Sequence, residues 1–147
     1  MQRSNLRLII HFRIFFFSEL FEGCNSVSDL GLSANRLRLV PSAALEPLKA
    51  SLGTLDLGEN QISDLGPRWL SGFVGLYGLR LAENHLTNLS AQVFDGAFNI
   101  KMLNLASNRP KTIALETFAP LKKLEVKTES HANDIKIIQS KCSNNFF

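Results

Sequence analysis

Residues 76–94 read LYGLRLAENHLTNLSAQVF. Leucines fall at Leu76, Leu79, Leu81, Leu86 and Leu89, with one asparagine, Asn84, among them. Strict alternation would mark a strand and a 3.6-residue period a helix. This spacing fits neither alone, but it recurs. LGTLDLGENQI runs from Leu52 to Ile62, IKMLNLASNRP from Ile100 to Pro110, and VSDLGLSANRL from Val27 to Leu37. The asparagines Asn35, Asn60, Asn84 and Asn108 follow one another at steps of 25, 24 and 24 residues. Each has leucines five and three positions before it: Leu30 and Leu32, Leu55 and Leu57, Leu79 and Leu81, Leu103 and Leu105. Leu37, Ile62 and Leu86 stand two residues after their asparagines, whereas the fourth copy has Pro110 there.

Four copies of L-x-x-L-x-L-x-x-N-x-L at a near-constant period are the leucine-rich-repeat pattern. The pattern has a physical cause. Side chains alternate along a strand, so a short L-x-L piece points both leucines to one side. The chain then turns inward, and the asparagine amide supplies bonds to main-chain groups that the bend leaves without partners. The return limb of each coil brings one apolar residue of its own, namely Leu45, Leu70, Phe94 and Phe118. One coil cannot bury its leucines alone, and stacked coils share a continuous core. The expected fold is an α/β leucine-rich-repeat solenoid. Short parallel strands line its concave face, and the convex side is irregular or in short helices. Four clear repeats carry degenerate ends, and Asn35, Asn60, Asn84 and Asn108 form a structural ladder.

At 147 residues the chain is long enough for one domain of about six such coils. Sixteen basic against 13 acidic residues leave a net charge of +3, too mild to point to nucleic acid, and no nucleic-acid module is present. No run of eighteen uncharged apolar residues marks a membrane span. Cys24 and Cys142 lie at opposite ends of the array. Strands about 4.8 Å apart put them roughly 20 Å from each other, beyond the ~7 Å a disulfide bridges, so the two are expected not to pair.

Three segments follow. In residues 1–26 three readings stand open. Arg3, Arg7 and the apolar run Leu8 to Phe17 suggest a signal peptide, although His11 and Arg13 interrupt it and no small-x-small site follows. Leu6, Leu8 and His11 stand 24 residues before Leu30, Leu32 and Asn35, as in a decayed coil. The third reading is a segment that is not native-like. Residues 27–126 hold the repeats. Pro41, Pro47 and Pro67 fall on return limbs, where no ladder bond is lost, and Trp69 and Phe73 are expected in the convex-side core. Leu121, Leu124 and Val126 start a fifth coil that Lys127 and Glu129 degrade. Residues 127–147 form an irregular tail with a short apolar patch at Ile135, Ile137 and Ile138. Neither end carries a cysteine-clustered cap, so the chain is expected to be a piece of a longer array or an incompletely built gene product, with self-association through exposed leucines at its ends.

The phrases TLDLGENQI, GLYGLRLAEN and MLNLASNR, spaced as here, resemble consecutive repeats in the ectodomain of invertebrate Toll receptors. ETFAPLKKLE followed by a late NDI resembles the next repeat there, so the likeness spans roughly residues 28–135. Extracellular proteins of the Slit and chaoptin types share the bare leucine pattern. Membership would imply a cell-surface receptor whose curved ectodomain binds a protein ligand or co-receptor, with signalling through a cytoplasmic TIR domain. This chain contains no membrane span, TIR domain or cysteine-rich cap. Pro110 and the stretch KTESHAN also break the pattern.

Exposed strand residues line the concave face of such a solenoid. Here they are Asp29, Gly31 and Ser33; Thr54, Asp56 and Glu59; Tyr77, Arg80 and Glu83; and Lys101, Met102, Asn104 and Ser107, with Lys122, Lys123 and Glu125 following. Asp56, Glu59, Tyr77, Arg80, Glu83, Lys101, Met102 and Asn104 are the expected contact residues, since tyrosine, arginine and methionine are enriched where proteins meet. Asn88-Leu89-Ser90 is the only N-x-S/T sequon and marks Asn88 as a glycan acceptor if the chain is secreted. His11, His85 and His131 are scattered. No HExxH, GxSxG or P-loop is present, and the cysteines lack zinc spacing, so neither catalysis, nor a metal, nor a cofactor is expected. The favoured function is a non-catalytic protein-binding module. A secreted or matrix adhesion protein and a cytoplasmic adaptor are the alternatives.

Overall fold

The computed structural model describes residues 4–8, 19–114 and 116–125. Strands β1 (Ser4–Arg7), β2 (Val27–Gly31), β3 (Thr54–Asp56), β4 (Gly78–Arg80) and β6 (Met102–Asn104) form one parallel sheet in the order β1-β2-β3-β4-β6. The leucine pattern sets the register: Leu30 stands beside Leu55, Leu55 beside Leu79 and Leu79 beside Leu103. β1 extends the sheet by one strand, with Leu6 beside Leu30. A second, two-stranded parallel sheet runs along the flank, formed by β5 (Asn88–Leu89) and β7 (Thr112–Ile113).

Inside the coils the two strand leucines, the apolar residue two places after the asparagine and the return-limb residue all meet. Leu57, Leu81, Ile62, Leu86, Leu45, Leu70 and Phe94 have no solvent exposure. Each such side chain contributes about 1.5–3 kcal/mol by burial, which is what a coil gains only by stacking on the next. Phe118 packs on Phe94 with ring centroids 5.6 Å apart. Trp69 and Phe73 are buried on the return limbs. Among the described residues those limbs are short turns, with one four-residue helix, α1 (Ser42–Leu45), followed by a 3₁₀ turn over Glu46–Leu48.

Main-chain bonds run from coil to coil beyond the strands, as burial of the backbone requires. The Leu32, Leu57 and Leu81 amides donate to the carbonyls of Asp56, Arg80 and Asn104 at 2.8 Å. On the flank the Gln61 and His85 amides reach the carbonyls of Leu37 and Ile62. The inward turn has its own conformation. Ala34, Glu59, Glu83 and Ser107, each just before its ladder asparagine, take φ between 55° and 58°. That left-handed region costs roughly 1–2 kcal/mol for a residue with a Cβ.

The asparagines offset that strain. Asn60 Nδ2 donates to the Leu32, Leu57 and Gly58 carbonyls, and its Oδ1 accepts from the Leu37 amide. Asn84 repeats the set on Leu57, Leu81, Ala82 and Ile62, and Asn108 on Leu81, Leu105, Ala106 and Leu86. Asn35 bonds to Leu8, Leu32 and Ser33, which ties β1 to the ladder. Cys24 is a free, half-buried thiol. His11, Arg13, Val126, Lys127, Glu129, His131, the isoleucine patch and Cys142 lie outside the described residues.

Candidate protein-binding face

The sheet turns one face to the core and leaves the other bare among the described residues. Of the expected contact residues, Asp56, Arg80, Met102 and Asn104 lie on strands of this sheet, Tyr77 and Lys101 just before β4 and β6, and Glu59 and Glu83 in the turns beyond β3 and β4. Arg80 projects from β4 into three carboxylates. Its guanidinium lies 3.4 Å from Asp56, 3.3 Å from Glu59 and 3.6 Å from Glu83. These side chains are a third or more exposed, so the pairs hold Arg80 in place more than they stabilise the fold. Asp56 and Asn104, at matching positions two strands apart, each accept from a main-chain amide of their own turn, Gly58 and Ala106 respectively. Lys101 pairs with Glu125 at 3.4 Å. Asp29 accepts from the hydroxyls of Ser28 and Thr54, both at 2.6 Å.

Two of the expected face residues depart from the reading. Ser33 is buried rather than exposed. It occupies the place of Gly58 and Ala82, where the chain already turns inward and the carbonyl accepts from the ladder amide. Gly31 is half-buried, since the Arg7 side chain of β1 lies across it.

Three glycines, not singled out by the repeat pattern, shape this face. A Cβ on Gly53 would stand 2.8 Å from Tyr77 Cε1. One on Gly58 would stand 3.0 Å from Arg80 Nε, and one on Gly78 would stand 3.3 Å from Met102 Cε. Each large side chain therefore leans back over a glycine of the preceding coil. The signal was present in the columns: Gly53 stands 24 residues before Tyr77, and Gly78 stands 24 before Met102. Tyr77 is half-buried by this arrangement, while Met102 stays 53% exposed.

Off this face, Asn88 is exposed in β5, and its Oδ1 accepts from the Thr112 hydroxyl at 2.9 Å. His85 is exposed beside Asn84. Thr117, which the leucine pattern does not mark, is fully buried and donates towards the carbonyls of Leu89, Ser90 and Ala114. Among the described residues no group of His, Cys, Asp and Glu is placed to hold a metal ion, and no helix is long and apolar enough to cross a membrane.

With this geometry in view, the leucine rich repeat family model matches residues 25–86 and 74–126. The chain belongs to the leucine-rich-repeat family. Among solved structures, it is similar to a chain of the Toll–Spatzle complex of Drosophila in its glycosylated form, at a TM-score of 0.67 and 30% identity, over 73% of this chain and 14% of that one. A second structure of that complex matches at 0.67 and 28% identity, over 84% of this chain and 15% of the other. The repeat domain of APL1B matches at 0.61 and 18% identity, over 79% of this chain and 35% of that one, which speaks to the fold alone. The search of curated proteins returned no match. This leucine-rich-repeat chain thus resembles Toll ectodomain repeats, and it spans about a seventh of the length of the Toll–Spatzle chains it matches.

Proposed function

We propose that this chain is a non-catalytic protein-binding module, a piece of the extracellular part of a Toll-like cell-surface receptor, and that a protein ligand or co-receptor binds the bare face of its sheet. The observation that carries this is that Arg80 of β4 and Met102 of β6 alternate with the buried leucines and so project away from the core, with half-buried Tyr77 just before β4. Asp56, Glu59, Glu83, Lys101 and Asn104 surround them as the remaining contact residues. A rigid scaffold that holds such side chains in place lowers the ordering cost of association. The likeness to chains of a receptor–ligand complex supports a protein partner. Asn88 is the glycan acceptor in this reading. Its flank position keeps a sugar off the sheet face.

The test is site-specific photocrosslinking. The chain is secreted from cultured cells with a photoreactive amino acid at Tyr77 or Met102, and in control preparations at the exposed return-limb residues Gln92 or Glu116. Each is illuminated in the extracellular fluid of the source animal. Adducts from positions 77 and 102 alone, suppressed by excess unlabelled chain, are expected. Equal adducts from both sets, or from the return limbs only, would refute the proposal.

A further inference from the structure

Arginine on a binding face is usually the group that receives a partner's carboxylate. Arg80 is already engaged by carboxylates of its own chain, since Asp56, Glu59 and Glu83 lie 3.3–3.6 Å from its guanidinium. Three carboxylates share one guanidinium, so the cluster keeps an excess of two negative charges. Glu59 and Glu83 are its outer members, with side chains 45% and 56% exposed. Asp56 is tied from below by the Gly58 amide at 2.8 Å. Towards the other end of the same strands, Tyr77 and Met102 lie across Gly53 and Gly78. They present an aromatic and a thioether surface fixed by the close approach that the missing Cβ atoms allow.

We infer that the patch of Tyr77, Met102, Glu59 and Glu83 receives a segment of the partner protein that carries a lysine or arginine next to an apolar side chain. The apolar side chain packs on Tyr77 and Met102. The cation approaches Glu59 and Glu83 and supplies the positive charge that Arg80 alone leaves lacking. Arg80 acts as a positioning residue. It holds both glutamates at one spacing, and its own place over Gly58 depends on that glycine. Charge complementarity selects this occupant, since a partner carboxylate brought here would meet the excess negative charge and a guanidinium already engaged. The inference rests on the reading of the sheet face as the protein-binding surface.

The experiment selects a phage-displayed library of random twelve-residue peptides on the full 147-residue chain. It then measures each enriched clone on two variants, Glu59→Gln/Glu83→Gln and Tyr77→Ala/Met102→Ala, with Trp69 emission as the fold control. Enriched peptides should pair Lys or Arg with an apolar neighbour. Their binding should fall about tenfold or more on each variant. Peptides that lack a basic residue, bind the glutamine variant unchanged and are lost on the alanine variant would overturn the inference and leave the sheet-face reading standing. Clones indifferent to both variants, or no enrichment, would overturn both.

Discussion

Replacing Asn84 with alanine removes four hydrogen bonds, yet the effect is set by one of them. The Leu57 carbonyl keeps the Asn60 amide at 3.0 Å, the Leu81 carbonyl keeps Asn108 at 2.8 Å, and the Ala82 carbonyl keeps the Glu59 main-chain amide at 2.9 Å. The Ile62 amide, bonded to Asn84 Oδ1 at 2.9 Å, is left without a partner among the described residues, inside a residue with no solvent exposure. An orphaned buried donor costs about 1–3 kcal/mol, so Asn84→Ala should destabilise by about that much. With a urea slope of about 1–3 kcal/mol per molar, the midpoint should fall by roughly 1 M. Trp69, the only tryptophan and 7% exposed, reports the transition. Asn84→Asp makes the comparison sharper. It keeps an acceptor for Ile62 but sets a carboxylate oxygen against three carbonyls in a 4% exposed site, so it should cost more than alanine. A midpoint shift below about 0.2 M for alanine, or a milder loss for aspartate than for alanine, would refute this account of the ladder.

Leu81→Asp places a charge where Leu81 has no exposure and should abolish the fold, so near-ultraviolet circular dichroism would lose its aromatic signal. Thr117→Val keeps the shape but removes a donor shared by three carbonyls, and thermal melts should show a loss of about 1 kcal/mol. Ala34→Gly relieves a φ of 57° at an exposed position. It should raise stability by up to about 1 kcal/mol, once the entropy of the added glycine is deducted. Gly53→Val should displace the ring of Tyr77, the only tyrosine, and shift its ring-proton resonances while Trp69 emission stays unchanged.

The leucines and asparagines made the solenoid legible because each has one duty in every coil, and the duty recurs at a fixed step. Leu79 beside Leu55 and Leu103 follows from the spacing alone. The left-handed turn before each asparagine does not. Its residues are Ala34, Glu59, Glu83 and Ser107, none of the glycine or asparagine that usually announces positive φ. The flank sheet of Asn88–Leu89 with Thr112–Ile113 was hidden for a related reason, since two-residue strands carry no periodicity of their own. The bare face was legible as a run of candidate positions, but its chemistry was not. Sequence places Arg80 there, but only distances reveal that it is enclosed by Asp56, Glu59 and Glu83. Ser33 was misplaced because strand alternation was carried one residue past the point where the chain bends inward.

The claim beneath all of this is that residues one coil apart in sequence are neighbours in space. Methyl-to-methyl nuclear Overhauser effects test it directly in a leucine-labelled sample. Leu79 should show strong contacts to both Leu55 and Leu103, its partners on either side in the sheet. Contacts from Leu79 confined to leucines three or four residues away, with none to Leu55 or Leu103, would contradict the stacked-coil architecture.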